Sequence, residues 1–433
     1  MMYALGVIVF LIGVALSIAL HEVGHMWPAK KFGVKVTQFF VGFGSTVWST
    51  KRGETEYGFK AFPLGGYVKL VGMLPPKHEE RDVDGHLIVR SSDTGMFTQM
   101  ANDARHAEYL DVDPADEDRL FYRKPWWQKV IVMAGGPTVN LLIAAVLFTV
   151  VFMGFGVPTA TTTVAQVSDC AIPDAEYGRS CTADDPVTPA RQAGLEAGDV
   201  ITSFNGTAIT EWDQLTTLIR ANGDRTATIG YERDGAARQA TVNTSVLARM
   251  SLDDPERSER VGFLGVSPEI VTERQGPVYV GEQMGSMIGA TATALVHLPA
   301  RMVDVFRAAF GGERGTDTPV SVVGASRVAG ELVTVDNPSW SERAVRVLTL
   351  LASLNLFLWM FNLIPLLPLD GGHVAGALWE EARRRFARWR GRPDPGYVDV
   401  AKMLPVAYVV ASVLIVLGVV LIYADIVNPV RIS

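Results

Sequence analysis

The chain has 433 residues, 48% of them hydrophobic and 20% charged, a balance that excludes a disordered tail and a small disulfide-held scaffold. Lys and Arg total 39 against 46 Asp and Glu, and the net charge of -7 gives no electrostatic case for a nucleic-acid partner. The positive mean hydropathy points to a membrane protein, with length for two or three units at roughly 150 residues each.

Tyr3 to Leu20 carries no charge and is long enough to cross about 30 Å of hydrocarbon at about 1.5 Å per helical residue. It begins Met-Met-Tyr-Ala and runs into His21-Glu22, without the basic start or small-residue cleavage site of a signal peptide, and reads as a retained membrane helix. Glu54 to Met73 mixes aromatic and β-branched residues with glycines, Gly65 and Gly66 among them, and predicts short strands with turns. Residues 1–80 thus form a first membrane helix with a membrane-associated β-loop. Such a sheet enters a bilayer only where protein or water satisfies its backbone.

The segment 81–123, preceded by His78, holds Asp82, Asp84, Asp103, Asp111, Asp113, Asp116, Glu117 and Asp118. It reads as a solvated or partly disordered cytoplasmic insert with no catalytic assignment. Val130 to Val157, within 124–158, is a second uncharged span, and Val347 to Leu369 and Met403 to Ala424, within 344–433, are a third and a fourth. Gln283 to Ala300, in the connecting segment 273–343, lacks charge but is rich in Gly, Thr and Ala and contains His297 and Pro299, which makes it a poor span. Arg383, Arg384, Arg385, Arg388, Arg390 and Arg392 mark the loop between the third and fourth spans as cytoplasmic, and Lys30, Lys31, Lys124 and Lys129 agree. Both termini and the segment from Pro158 to Arg346 then lie outside.

His21-Glu22-Val23-Gly24-His25 places two imidazoles four residues apart on one helical face, with a carboxylate beside them as a base, the H-E-x-x-H pattern of a zinc site. Two His and a Glu in a membrane segment are costly, which argues for a functional site over two satisfied polar residues at a helix end. A catalytic zinc takes three protein ligands and keeps one position open. Asp370, in Pro368-Leu369-Asp370-Gly371-Gly372 at the end of the third span, is the best third ligand; the alternative is a solvated cap. The first and third spans both run inward, so His21 and Asp370 reach one depth, whereas a fifth span at Gln283–Ala300 would separate them. His373 would share a helical face with Asp370 if a helix continued, but Gly371-Gly372 argue against that, and it stays outside the expected metal site.

These motifs together resemble the site-2 protease family of intramembrane zinc metalloproteases, in its bacterial branch with a PDZ domain. The first motif extends through Ala29, Gly33-Val34 and Val41-Gly42-Phe43-Gly44, with Lys30 in place of the more usual Arg. The second-span pattern is matched by Gly136, Pro137 and Asn140, and the third by Asn362, Pro365, Leu369, Asp370 and Gly371. The resemblance implies that His21, His25 and Asp370 hold Zn2+ and that Glu22 activates its water. It also implies that Asn362 binds substrate backbone or the developing oxyanion, with a helix-to-helix hydrogen bond as the alternative. Asn140 reads as structural, part of a close helix contact with Gly135 and Gly136.

Pro189 to Ile201, followed by Phe204-Asn205-Gly206, resembles the signature of bacterial PDZ domains, with Asn205-Gly206 as a tight turn and Trp212 to Arg220 as a helix. The expected fold is a polytopic α-helical membrane protein with four transmembrane helices, a membrane-associated β-sheet after the first, and an inserted mixed α/β PDZ-like domain at 161–272. Gly262-Phe263-Leu264-Gly265-Val266 is its candidate peptide edge; a module that only blocks large proteins from the site is the alternative. Cys170 and Cys181, the only cysteines, lie in the outside segment, and a disulfide between them is expected.

The expected protein is a multi-pass enzyme of the bacterial plasma membrane, its lipid bilayer included among its partners. It cleaves a single-span membrane protein near the cytoplasmic face, the extended substrate pairing with the Glu54–Met73 sheet. By the resemblance, the substrate is an anti-sigma-factor-like protein or a signal-peptide remnant. The rival is a membrane metal-binding or transport protein anchored by the PDZ module, for which Glu22 has no need to be a base.

Overall fold

The computed structural model describes residues 1–430 apart from 77–79, 82–86, 89–101, 106–107, 109–111, 174–178, 253–256, 310, 313, 316–317 and 336–337. The chain divides into two compact units, Met1–Gly154 with Gly276–Ser433, and Phe155–Gln275.

Among the described residues of the first unit, four helical segments are long and apolar enough to cross a membrane: Met2–Lys31, Trp126–Phe155, Trp340–Asn362 and Val400–Val427. α1 (Met2–Lys31) does not stop at Leu20 but carries the His21–His25 motif as continuous helix. α2 (Trp126–Thr149) goes on through π-helical turns to Phe155, and Val157 already begins a strand. The two helices meet where both lack side chains: an ideal Cβ on Gly24 would stand 2.5 Å from the Gly135 carbonyl oxygen, the close approach that small residues allow between membrane helices.

Between them lies the sheet, which differs from the expectation of short strands. β1 (Val36–Arg52) and β2 (Thr55–Leu70) are two long strands bent by bulges. Phe40 is partnered by Tyr67 on one side and by Gly58 on the other, so each strand folds back on the pair and the Gly66–Leu70 arm has β1 on one side only among the described residues. Bulges of this kind bend strands and re-aim side chains.

The expected insert lies partly outside the described residues, including His78, Asp82, Asp84 and Asp111. What is described of it is not simply solvated: Leu120, Tyr122, Asn102 and Arg105 are buried. Arg105 donates to Asp399 at 2.5 Å and to the Pro75 carbonyl at 3.1 Å.

α4 (Pro277–Ala309) is a long helix that includes the Gln283–Ala300 stretch but is not among the four apolar candidates. α5 (Val322–Leu332) and α6 (Trp340–Asn362) follow, α6 opening on a capping box in which Ser339 and Glu342 bond reciprocally. α6 lies along α1 in the same sense: an ideal Cβ on Gly13 would touch Leu351, and Asn355 Nδ2 donates to Ser17 Oγ at 3.0 Å. The motif end of α1 and the Asn362 end of α6 therefore coincide.

The third span needs two corrections. Its helix ends at Asn362, and the last residues of the expected run form a turn holding a cis Leu367–Pro368 bond. Asp370 does not close a helix but opens α7 (Asp370–Trp389), which carries Arg383, Arg384, Arg385 and Arg388 and runs straight through Gly371-Gly372. These glycines do not break the helix; they let it approach the chain before it, since a Cβ on Gly371 would stand 2.4 Å from the Ile364 and Leu363 carbonyl oxygens. α8 (Leu404–Val427) completes this unit.

In the second unit, β3 (Val157–Val167), β4 (Val200–Phe204), β5 (Thr226–Arg233), β6 (Ala236–Asn243) and β9 (Val266–Glu273) form one sheet in the order β9-β3-β4-β5-β6. The helix α3 (Trp212–Ala221) buries Leu215 and Ile219 in a core with Ile201, Phe204 and Ile229. Asn205 and Gly206 take φ of 50° and 81°, as a tight hairpin turn requires. The strands β7 (Ser245–Met250) and β8 (Ser258–Phe263) pair as a separate hairpin, so Gly262–Phe263 and Val266 fall in different strands. Cys170 and Cys181 are bonded, with Cα atoms 5.9 Å apart.

Candidate metal centre

Three donors from two distant parts of the chain converge at the shared end of α1 and α6. His25 Nε2 lies 3.2 Å from His21 Nε2, and Asp370 Oδ2 lies 3.4 Å from His21 Nε2 and 3.5 Å from His25 Nε2. One ligand atom from each residue falls within 4.8 Å of the others. Two imidazoles one helical turn apart and a carboxylate are a donor set suited to zinc.

α2 makes room for that set. An ideal Cβ on Gly136 would stand 2.3 Å from His25 Nε2 and 2.7 Å from His21 Nε2, so a glycine cradles the nitrogens where any side chain would displace them. His25 is oriented by its other nitrogen, which meets the Val132 carbonyl at 2.8 Å, the outer hydrogen bond typical of a ligating imidazole.

The centre opens on a cavity of about 310 Å³ lined by His21, Glu22, His25, Asn362 and Asp370, together with the β2 residues Gly66 to Val68 and Leu70. Gly66 passes so close to the motif that a Cβ there would stand 2.9 Å from Glu22 Cγ. Of the residues singled out in the sequence, Gly65 and Pro365 are not part of this wall; Gly65 packs on the Phe43 ring. His373 does line it, one turn into α7, but does not join the three-residue donor group. Val132 was not legible as a site residue because only its backbone takes part. Gly136 carries a signal in the second-span pattern, where its neighbours Gly135 and Asn140 point to a helix contact instead.

This chain belongs to peptidase family M50, whose family model matches residues 9–404, a family of zinc metallopeptidases that work within the membrane. The zinc metalloprotease Rip1 of Mycobacterium tuberculosis is 34% identical over 100% of this chain and 99% of its own. Rip1 of Mycolicibacterium smegmatis is 33% identical over the full length of both, and the metalloprotease MmpA of Caulobacter vibrioides is 26% identical over 88% of this chain and 87% of its own. A solved PDZ domain of an SdrC-like protein from Listeria monocytogenes matches 26% of this chain and 90% of that one at 21% identity and a TM-score of 0.17, too low to bear on the fold. The protein is a zinc-dependent membrane protease, and the ion-transport alternative falls away.

Proposed function

We propose that His21 and His25, through Nε2, and Asp370, through a carboxylate oxygen, hold the catalytic zinc, and that Glu22 is the general base. The observation that carries this reading is one cavity wall shared by the three donors, Glu22 and the β2 residues Gly66 to Val68. Bound zinc supplies Lewis-acid polarisation and water acidified to a pKa of about 7. The Glu22 carboxylate accepts the proton of the attacking water and delivers it to the departing amide nitrogen. Asn362, at the last turn of α6 and on the cavity wall, donates from Nδ2 to the carbonyl oxygen as charge develops there.

A membrane helix hides its amides in internal hydrogen bonds, so the substrate is unwound before cleavage. The Gly66–Leu70 arm gives the unwound segment a strand to pair with beside Glu22. The substrate class is a single-span membrane protein, anti-sigma-factor-like, or a signal-peptide remnant, cleaved near the cytoplasmic face, with both chain termini extracytoplasmic. The Phe155–Gln275 unit is a PDZ-like module that excludes substrates still carrying a large outer domain.

The test is cleavage of a purified single-span substrate in liposomes by wild type and Glu22→Gln, with the products sequenced. One cut inside the span, lost in Glu22→Gln, is expected; equal cleavage by both proteins contradicts the assignment.

A further inference from the structure

Val132, Gly136 and Asn140 stand at successive four-residue intervals on α2, a single stripe of the helix. The first two members meet the histidine pair directly: Val132 through its carbonyl on His25 Nδ1, Gly136 through the cradle around both Nε2 atoms. α2 runs against α1, since Gly135 meets Gly24 while Leu147 packs in the cluster of Phe10 and Val14. Stepping along the stripe from Val132 towards Asn140 therefore follows α1 from His25 back to His21. An α-helical side chain leans towards its own helix N-terminus, so Asn140 leans towards the Gly136 level, where His21 Cε1 already lies 2.8 Å from an ideal Gly136 Cβ.

His21 and Asn140 each have a buried polar atom with no partner among the described residues. Among the described residues, His21 Nδ1 and Asn140 Oδ1 are buried without a hydrogen bond, and Asn140 as a residue is 1% exposed. Such atoms are rare in native interiors and call for an explanation. They are complementary: with Nε2 facing the donor group, the neutral His21 ring carries its proton on Nδ1 and must donate it, while an amide oxygen can only accept. Asn355 Oδ1, a buried acceptor on α6 without a partner among the described residues, cannot serve Asn140 Oδ1, because both are acceptors.

We infer that Asn140 is a positioning residue for the metal centre, its Oδ1 accepting the Nδ1 proton of His21 as the Val132 carbonyl accepts that of His25. This replaces the reading of Asn140 as a helix-contact residue; Gly135 fills that role. It rests on the proposed ligand set, and gives each histidine its own outer acceptor on one face of α2.

The experiment measures zinc affinity by chelator competition on purified wild type, Asn140→Leu, which keeps the shape but has no acceptor, and Asn140→Asp, which keeps an acceptor. Helix content and monodispersity are checked for each, and cobalt-substituted absorption spectra are recorded beside the affinities. Asn140→Leu should bind zinc roughly 10- to 100-fold more weakly and shift the cobalt bands, with Asn140→Asp close to wild type in both. Unchanged affinity and spectrum in Asn140→Leu would overturn the inference, as would equal loss in Leu and Asp variants that keep wild-type helix content, since packing alone would then explain Asn140. Failure of wild type itself to bind zinc, or retention of wild-type affinity by His21→Ala, would instead overturn the ligand set.

Discussion

His21 and His25 owe their legibility to local geometry: a helix brings residues four apart onto one face whatever the rest of the chain does. Asp370 was legible for a different reason, because the count of spans fixed its depth, even though the chain there starts a helix rather than ending one. The glycines beside it misled because glycine serves close approach as well as chain breaking, and Gly371 does the former. Gly136 exposes the same ambiguity and yields a sharp test. A methyl group 2.3 Å from His25 Nε2 forces either the imidazole or α2 to move, so Gly136→Ala should lose both zinc and cleavage while the chain still inserts. Metal analysis checks this, and full zinc occupancy in that variant would mean that the donors sit elsewhere in the working enzyme.

Among the elements, α1, α2 and α8 were readable from uncharged length, but β1 was not, because Val41-Gly42-Phe43-Gly44 and its neighbours do not alternate and the strand is bent by bulges. The β2 arm beside Glu22 has a consequence for rate. Gly66→Ala puts a methyl 2.9 Å from Glu22 Cγ, and a displacement of about 1 Å in a catalytic group can cost about 10²-fold. Cleavage should fall on that order while zinc content stays at the wild-type level.

The loop that follows β2 adds a pH dependence. Glu108 accepts from the backbone N–H groups of Met73 and Leu74, yet burial outweighs these bonds and pushes its carboxyl up to about 7 from 4.5. Folded protein then holds this proton more tightly than unfolded protein, so the stability it contributes is full below about pH 4.5 and is lost as pH rises through about 7. Thermal unfolding of wild type should come at lower temperature at pH 8 than at pH 5. Glu108→Gln should remove that part of the dependence, and an unchanged profile would separate Glu108 from it.

For the molecule as a whole, the Phe155–Gln275 unit has its own core of Ile201, Phe204, Leu215 and Ile229, and the proposed ligands His21, His25 and Asp370 belong to the other unit. Replacing it with a short flexible linker should leave zinc content unchanged. As a size filter, its loss should raise cleavage of substrate with an intact outer domain; as a required docking module, its loss should abolish cleavage of trimmed substrate too. The most direct measurement of the catalytic assignment is zinc per chain, beside cleavage of one substrate, in wild type, Glu22→Gln and Asp370→Asn. Glu22→Gln should keep about one zinc and lose 10²- to 10⁴-fold in rate, while Asp370→Asn should lose zinc and activity together. Loss of zinc in Glu22→Gln with full occupancy in Asp370→Asn would contradict both the base and the third ligand.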